Sequence, residues 1–595
     1  MHAFVIAIGL RELPLAHIVG TIHRVGAGFG LDARTAWQVR SSGGLIAAAG
    51  LHHGPVAAPR RYLDRSEPLV TLFDGLPVDP CGAREAHDAR QLAAGWDSWL
   101  DDLEGQFCAL QLDLREETVQ VRTDSFGLVP VFAMSSGGGT LLSNSVEAIR
   151  ELLGPSEPDP IGISTMVGFG WASARHTLLA DVRALAGGST HTFRAGGVQT
   201  HIRFGPGRLD RSSERATSGS ELAEHLAGMV QHGLRGIEPL RCAVTGGRDT
   251  RLLLAFVRRC GLQADYYTIG RDTDDDVRWA RMLAQSFGFP HRTVLAEHDL
   301  DLDWTAAAGR FLSQTDGLSS LGQLIDYAEL PTRVESLGVK LWGIGSEIGR
   351  VGQTDTAISA SALPLLGRSL RLQQKVLAMK ADPYRSVMTA QAQELLDRSV
   401  ADFAAERREE GWSVDEIAEL FFIFERVACH GSAGPRRAAA ADDLFSPFCS
   451  RRYTEWCLSR PAAERYVERP YVQMLAHVSP ELLTFPFMVP LKPALPWMRV
   501  PRAARRIAGL LALRLRREQA GIELENGRAP FVFEWFEQRL EMLDELFSRP
   551  NSPLWELIDR PRVRALLHAT PQERYPHLEP LLRAATVAWY FDGPR

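Results

Sequence analysis

Up to about residue 205 the chain alternates short apolar runs with Gly-rich turns: HAFVIAIGL, GGLIAAAG, PLVTLFDGL, GQFCALQLDL, TVQVRTDSFGLVPVFAM, GTLLSNS and STHTFRAG. Apolar runs of this length bounded by turn residues predict the strands of a sheet-rich layer, with helices over Arg84 to Leu103 and over Val146–Leu153. The stretch Gly205–Ser220 is polar, charged and weakly periodic, which predicts a linker. Beyond it, strands predicted over Leu240–Thr245, Asp265–Ile269, His291–Leu295 and Val339–Gly343 alternate with helices over Thr250–Cys260 and Asp275–Phe287. That alternation predicts a parallel sheet covered on both faces, with ligands at the C-terminal ends of its strands. From about residue 355 the pattern reads as mainly helical, and no internal repeat or low-complexity tract interrupts it. The expected architecture is α/β: a sandwich over 1–205, a linker over 206–220, and an α/β part with a helical C-terminal portion over 221–595.

With 595 residues the chain is too long for one ordinary core, and a hydrophobic content of 45% makes it globular. A net charge of -6, from 66 basic and 72 acidic residues, argues against a chain-wide nucleic-acid surface. The seven cysteines are scattered, with neither a CxxC pair nor histidines at metal-ligand spacing, which predicts a reduced, cytoplasmic protein. The FVIAIGL run is short, has no basic residue before it and is broken by Arg11 and Glu12, so it reads as a strand rather than a signal peptide. No apolar stretch approaches membrane-spanning length.

The candidate chemistry centres on residues 241–256, RCAVTGGRDTRLLLAF. Here Thr245, Gly246, Gly247, Arg248, Asp249 and Thr250 join an apolar strand to an apolar helix. The glycines allow the backbone to turn against a phosphate at a helix N-terminus, and the two threonines add hydroxyl donors. Asp249 has the wrong charge for phosphate and suits a magnesium ion bridging phosphate oxygens. The Lys of a Walker A loop is missing, so a kinase-type P-loop is not expected. A ligand-free Gly-Gly turn fits the same six residues. A second strand-to-turn junction, LWGIGSEIG at 341–349, brings Gly343 and one carboxylate, Glu347. Alone it reads equally well as a surface turn; with Asp249 it makes two carboxylates at strand ends able to share one metal.

In these residues the chain resembles the asparagine synthetase superfamily, whose members activate a carboxylate with ATP as an acyl-adenylate and release pyrophosphate. The family's Ser-Gly-Gly-x-Asp-Ser loop is matched by Thr245 to Thr250 and its later acidic Gly-rich turn by Gly343 to Glu347. YYTIG, with Ile269 before Gly270, resembles the strand whose backbone meets adenine; Asp276 opens the next segment, and SPFCSRRYTEW at 446–456 resembles a Pro-Phe landmark, with Cys449 departing from it. LEGQFCALQLD, VRTDSFGLVPVF and LLSNSVEAI resemble the glutaminase-type (Ntn) sandwich that precedes an ATP-pyrophosphatase (PP-loop) domain. The family's nucleophilic Cys, however, is replaced by His2, so the resemblance implies a sandwich that makes no ammonia.

Without ammonia, the resemblance implies that an amine on the substrate captures the adenylate, as in β-lactam synthetases and lasso peptide cyclases. The length of the helical part is closer to the cyclases, and Ile344 stands where β-lactam formation uses a Tyr. The implied reaction is AMP-forming macrolactam closure of a precursor (core) peptide, with ATP and Mg2+ as cofactors, Asp249 and Glu347 holding the metal, and a leader peptidase and a leader-binding protein as partners. No nucleic acid or membrane is expected as a partner. Other outcomes compatible with the sequence are a ligase for a small amino acid derivative, an ammonia-using asparagine synthetase and an inactive peptide-binding scaffold. Glu425, in FFIFERVA, is the candidate base, and reads equally as a structural partner of an arginine. Lys492, in FPFMVPLKPALPW, is the candidate cation for the intermediate, and reads otherwise as a solvated loop lysine. The run from 499 to 519 suits a basic amphipathic helix. Arg248 and Arg251 acquire no role from the sequence.

Overall fold

In the computed structural model the residues described are 2–28, 36–52, 62–84, 86–96, 98–154, 156–209, 218–294, 303–324, 338–350, 384–438, 442–460, 464–465, 468–488, 535–549 and 552–593. Lys492, the 499–519 run and much of the expected helical portion lie outside them.

Two antiparallel six-stranded sheets form the first part. One has the order β10(Arg183–Ala184), β8(Phe132–Ser136), β9(Gly139–Ser143), β1(His2–Ile8), β3(Ile46–His52), β2(Trp37–Arg40). The other runs β12(Gly197–Ile202), β11(Ser189–Arg194), β7(Thr118–Thr123), β6(Glu104–Asp113), β5(Leu69–Val78), β4(Leu63–Ser66). They pack face to face through Phe4, Ile6 and Ile8 of one sheet and Leu72, Leu110 and Val121 of the other. The outer faces of central strands such as β1 and β6 are covered too, which is why these read as continuous apolar runs rather than alternating ones. Val5 and Ala7 lie under α1(Leu15–Gly28) and α3(Val146–Leu153), while Phe107 and Ala109 lie under α2(Ala89–Ala94).

Several sequence expectations are corrected here. The helix expected over Arg84 to Leu103 shrinks to α2 and a 3-10 turn at Leu100–Asp102, because Asp88 caps one end and Gly95 the other. The run TVQVRTDSFGLVPVFAM is two strands in different sheets. Buried Asp124 makes the crossover by accepting the backbone N–H groups of Phe126, Leu128 and Val129. Helix α1, with Ile18, Ile22 and Val25 inward, had no strand-like pattern to announce it, and β12 is exposed along its whole length. Within the expected linker, Pro206–Arg208 is a 3-10 turn, and Ser218 opens α5(Gly219–Leu234) with a capping box closed by Glu221.

The second part is a five-stranded, all-parallel sheet of order β15(Arg292–Val294), β14(Asp265–Ile269), β13(Leu240–Ala243), β16(Gly338–Leu341), β17(Asp442–Phe445). In chain order that is 3-2-1-4-5, so the winding reverses between β13 and β16. The loops after those two strands flank the crevice where open α/β sheets take their ligands. β17 is a strand that the mainly helical reading beyond 355 did not single out. Its first residue, Asp442, forms a buried ion pair with Arg241 of β13 at 2.9 Å, so a strand beginning with two acidic residues belongs to the interior. Helices α6(Arg248–Arg259) and α7(Asp275–Phe287) follow β13 and β14.

Strand β6 joins the two parts. Glu104 accepts the backbone N–H groups of Arg451 and Arg452 at the start of the Arg451–Leu458 helix, at 3.1 and 3.4 Å. Burial outweighs these bonds and the nearby Arg451 charge and pushes the Glu104 carboxyl up from 4.5 to about 7, with Glu455 adding repulsion. A carboxyl raised on folding contributes stability that is complete below 4.5 and lost as pH rises through 7. The Glu104→Gln variant should therefore be less sensitive to pH between 4.5 and 7, by on the order of 3 kcal/mol in unfolding free energy. Urea titrations across that window test this, and equal slopes in wild type and variant would contradict it.

Candidate functional site

The crevice between β13 and β16 gathers most of the residues singled out in the sequence. After β13 the Val244 N–H still donates to Tyr267 O at 2.9 Å, extending the ladder before the chain turns into α6. Gly247 occupies the N-cap position without a side-chain cap. The Thr245 and Thr250 hydroxyls lie 2.9 Å apart, Thr245 Oγ1 accepts from Gly247 N at 3.1 Å, and Thr250 Oγ1 accepts from Thr245 N at 3.2 Å. The two hydroxyls thus brace the loop against itself. Asp276, at the start of α7, accepts the Gly246 N–H at 3.0 Å. A Cβ on Gly246 would lie 2.8 Å from Met488 Cβ and 3.1 Å from Trp279 Cγ. Close packing therefore requires glycine at 246 whatever ligand the loop meets. Ile269 ends β14 beside this loop, paired with Val294.

From the other strand, the turn after β16 presses against α6. A Cβ on Gly343 would stand 2.8 Å from Asp249 Cβ, so the glycine admits the contact. Asp249 accepts from the Ser346 hydroxyl and from the Arg350 guanidinium. Glu347 accepts from the Gly345 N–H at 3.0 Å. Burial, and then the negative charge of Asp249, raise the Glu347 carboxyl, while Arg350 and Arg426 oppose the rise. The two carboxylates thus share one field, with Arg350 supplying the countercharge.

Arg248 and Arg251 now have partners. Arg248 pairs with Glu468 at 2.5 Å, both largely buried. Arg251 is fully buried; it donates to Phe485 O at 2.8 Å and Pro486 O at 2.7 Å, and its guanidinium lies 3.8 Å from the Phe487 ring centre. It fastens the segment that brings Met488 over Gly246. Tyr471 was missed in the sequence. Its hydroxyl is buried without a hydrogen-bond partner among the described residues, within the field of Arg251, Asp249, Arg350 and Arg248. An isolated Tyr carries no sequence signal for such a place.

Glu425 lies in a π-helical stretch, Phe422–His430, and its hydrogen bond across the fold goes to the sandwich part, at Ala174. Its carboxylate accepts the Ala174 N–H at 3.0 Å and lies 3.8 Å from Cys429 Sγ, and burial raises it despite Arg175 and Ser173. Ala174 and Arg175 both have left-handed φ, 51° and 64°, so Glu425 tethers a strained turn of the sandwich. The neighbouring side chain, exposed Arg426, is the one whose charge reaches Glu347. Glutamine at 425 can still accept the Ala174 N–H, so Glu425→Gln should keep turnover within about threefold, against the ~10²-fold loss or more expected of a general base. Steady-state rates of the variant distinguish the two.

No protein-family model matches the chain, and neither does any curated protein. Among solved structures it is similar to the glutamine phosphoribosylpyrophosphate amidotransferase from B. subtilis complexed with ADP and GMP, at 12% identity over 59% of this chain and 77% of that one, with a TM-score of 0.24. A second similar structure is described as the allosteric regulatory enzyme of purine biosynthesis, at 14% identity over 49% of this chain and 64% of that one, with a TM-score of 0.24. At such scores the fold rests on the strand orders above. No helix among the described residues is long and apolar enough to cross a membrane.

Proposed function

We propose that the protein is an ATP-dependent, AMP-forming amide-bond ligase of the asparagine synthetase type, closing a macrolactam in a precursor peptide as lasso peptide cyclases do. One observation carries the reading: Asp249 and Glu347 approach each other from two neighbouring parallel strands at the reversal of winding, beside an uncapped helix N-terminus. In this reading the parallel sheet is an ATP-pyrophosphatase domain, and the antiparallel sandwich is a glutaminase-like domain whose strand β1 offers no thiol or hydroxyl.

The donor set fits magnesium. Two carboxylates with oxygen donors suit an ion that completes its shell with water and phosphate, and no cluster of three or more His, Cys, Asp or Glu exists among the described residues to cage a metal by protein alone. Ser346 and Arg350 both engage Asp249 Oδ1, so a bound ion would take the other oxygen or displace that guanidinium. Asp249 and Glu347 would hold magnesium, which would supply charge neutralisation of the phosphate oxygens while a substrate carboxylate attacks the α-phosphorus and pyrophosphate leaves. The Thr245, Gly246 and Gly247 N–H groups are held by Thr250, Asp276 and Thr245, so the N-terminus of α6 receives the departing pyrophosphate, and Arg350, released from Asp249, balances its charge. Met488 and Trp279 pack closely over buried Gly246. The substrate's own amine then attacks the acyl carbon, the amide bond forms as the bond to AMP breaks, and the amine's proton passes to solvent. Lys492 is the proposed cation for that second step, and a leader peptidase and leader-binding protein are the proposed partners.

Incubation of the full chain with ATP, Mg2+ and a candidate peptide, followed by mass spectrometry, tests the reading. A product lighter than the peptide by one water supports it, and unchanged peptide mass with every acceptor offered would refute peptide cyclisation.

A further inference from the structure

We infer that the sandwich acts on the site as a splint: Gln106, through Ser446, is a positioning residue for the turn that presents Glu347. The inference rests on reading that turn as a metal–nucleotide site. Alternate residues of a strand share a face, and β6 directs Glu104 and Gln106 together towards the parallel sheet. The Gln106 amide pairs reciprocally with one residue of the other part, accepting from Ser446 N at 2.7 Å and donating to Ser446 O at 2.8 Å. Both residues are fully buried. The Ser446 hydroxyl then donates to Ile344 O at 2.6 Å, and Cys449 Sγ lies 3.4 Å from the same oxygen.

A second arm runs in parallel. Glu104 holds the first N–H groups of the Arg451–Leu458 helix, and Tyr453 in its first turn donates to Ser346 O at 2.9 Å. The carbonyls of Ile344 and Ser346 are therefore both anchored by groups whose places are set from β6. Between them Gly345, at φ +87°, donates its N–H to the Glu347 carboxylate. Neither carbonyl can move without shifting that carboxylate. Buried, reciprocal hydrogen bonds fix register in a way that apolar contact does not. A displacement of about 1 Å at a reacting centre is worth ~10²-fold.

Ser446→Ala cuts the hydroxyl's bond to Ile344 O together with the longer one it accepts from Phe448 N, while leaving the Gln106 pair in place; Gln106→Ala removes the reciprocal pair, and the double variant closes a cycle. Hydrogen–deuterium exchange over 338–350 and calorimetric titration with Mn2+–ATP are measured on the full chain. Each single variant should speed exchange in the 343–350 turn and weaken Mn2+–ATP binding by about tenfold, with helix 248–259 at wild-type protection. The double variant should be no weaker than the poorer single, because both cut one chain of contacts. Unchanged exchange in the turn, a uniform rise throughout the protein, or additive losses would overturn the splint. Should Gln106→Ala fail to fold, Ser446→Ala alone decides. Wild-type protein that binds no Mn2+–ATP defeats the reading of the site and the splint with it. Wild type that binds it, with variants binding as tightly, defeats the splint alone.

Discussion

Replacing Asp249 by alanine is expected to lower AMP formation by at least ~10³-fold while leaving the protein folded. Asp249 is one of two carboxylates facing the crevice, and with it goes the acceptor for both Ser346 and Arg350. Arg350 then competes with any metal for the remaining carboxylate, Glu347, whose pKa it already lowers. The cost to folding is small for three reasons. The Asp249 side chain is about a third exposed, at 32%. Its loss removes an acid from the first turn of α6, an effect of about 1 kcal/mol or less. The loop keeps its Thr245–Thr250 brace and the Asp276 bond to Gly246. Far-ultraviolet circular dichroism with an AMP assay separates the two effects. An alanine variant with wild-type turnover would remove Asp249 from the chemistry, and one that unfolds would make it a structural residue.

Arg251→Ala is expected to act in the opposite sense, through stability. Its guanidinium donates to Phe485 O and Pro486 O and lies 3.4 Å from Leu482 O, near the end of the Pro480–Thr484 helix, with the Phe487 ring stacked on it. Truncation leaves buried carbonyls without donors and opens a cavity beside two aromatic rings, for a combined loss of about 3–5 kcal/mol. Lysine keeps a charge but cannot fork to neighbouring carbonyls, so Arg251→Lys should recover only part of the loss. The same change frees the segment carrying Met488 over Gly246, so ATP binding should weaken with it. Urea unfolding measures the first effect and nucleotide titration the second. A loss below 1 kcal/mol would show that the 482–488 segment is held by other contacts.

What the sequence made legible were features carried by neighbours in the chain. Val146–Leu153, Asp265–Ile269 and Asp275–Phe287 are bounded by their own caps and turns, and their ends coincide with those expected. Asp249 and Glu347 each stand beside glycines at a strand end, so both could be singled out although they lie far apart in the chain. The remaining features depend on contacts made across the fold. Gln106 meets Ser446 across 340 residues, and Glu425 meets Ala174 across 251. A glutamine in an apolar strand and a glutamate in an apolar helix each carry several meanings until the partner is known. The four-residue strand β17 escaped for a related reason: the arginine that neutralises Asp442 sits two strands away in the sheet.

The measurement that bears most directly on the account is phosphorus NMR of the products formed from ATP by the purified full chain with Mg2+ and an acceptor peptide. Equal amounts of AMP and pyrophosphate, dependent on the peptide and lost in Asp249→Ala, are the predicted result. ADP with inorganic phosphate, or AMP formed equally well by the Asp249→Ala protein, would contradict it.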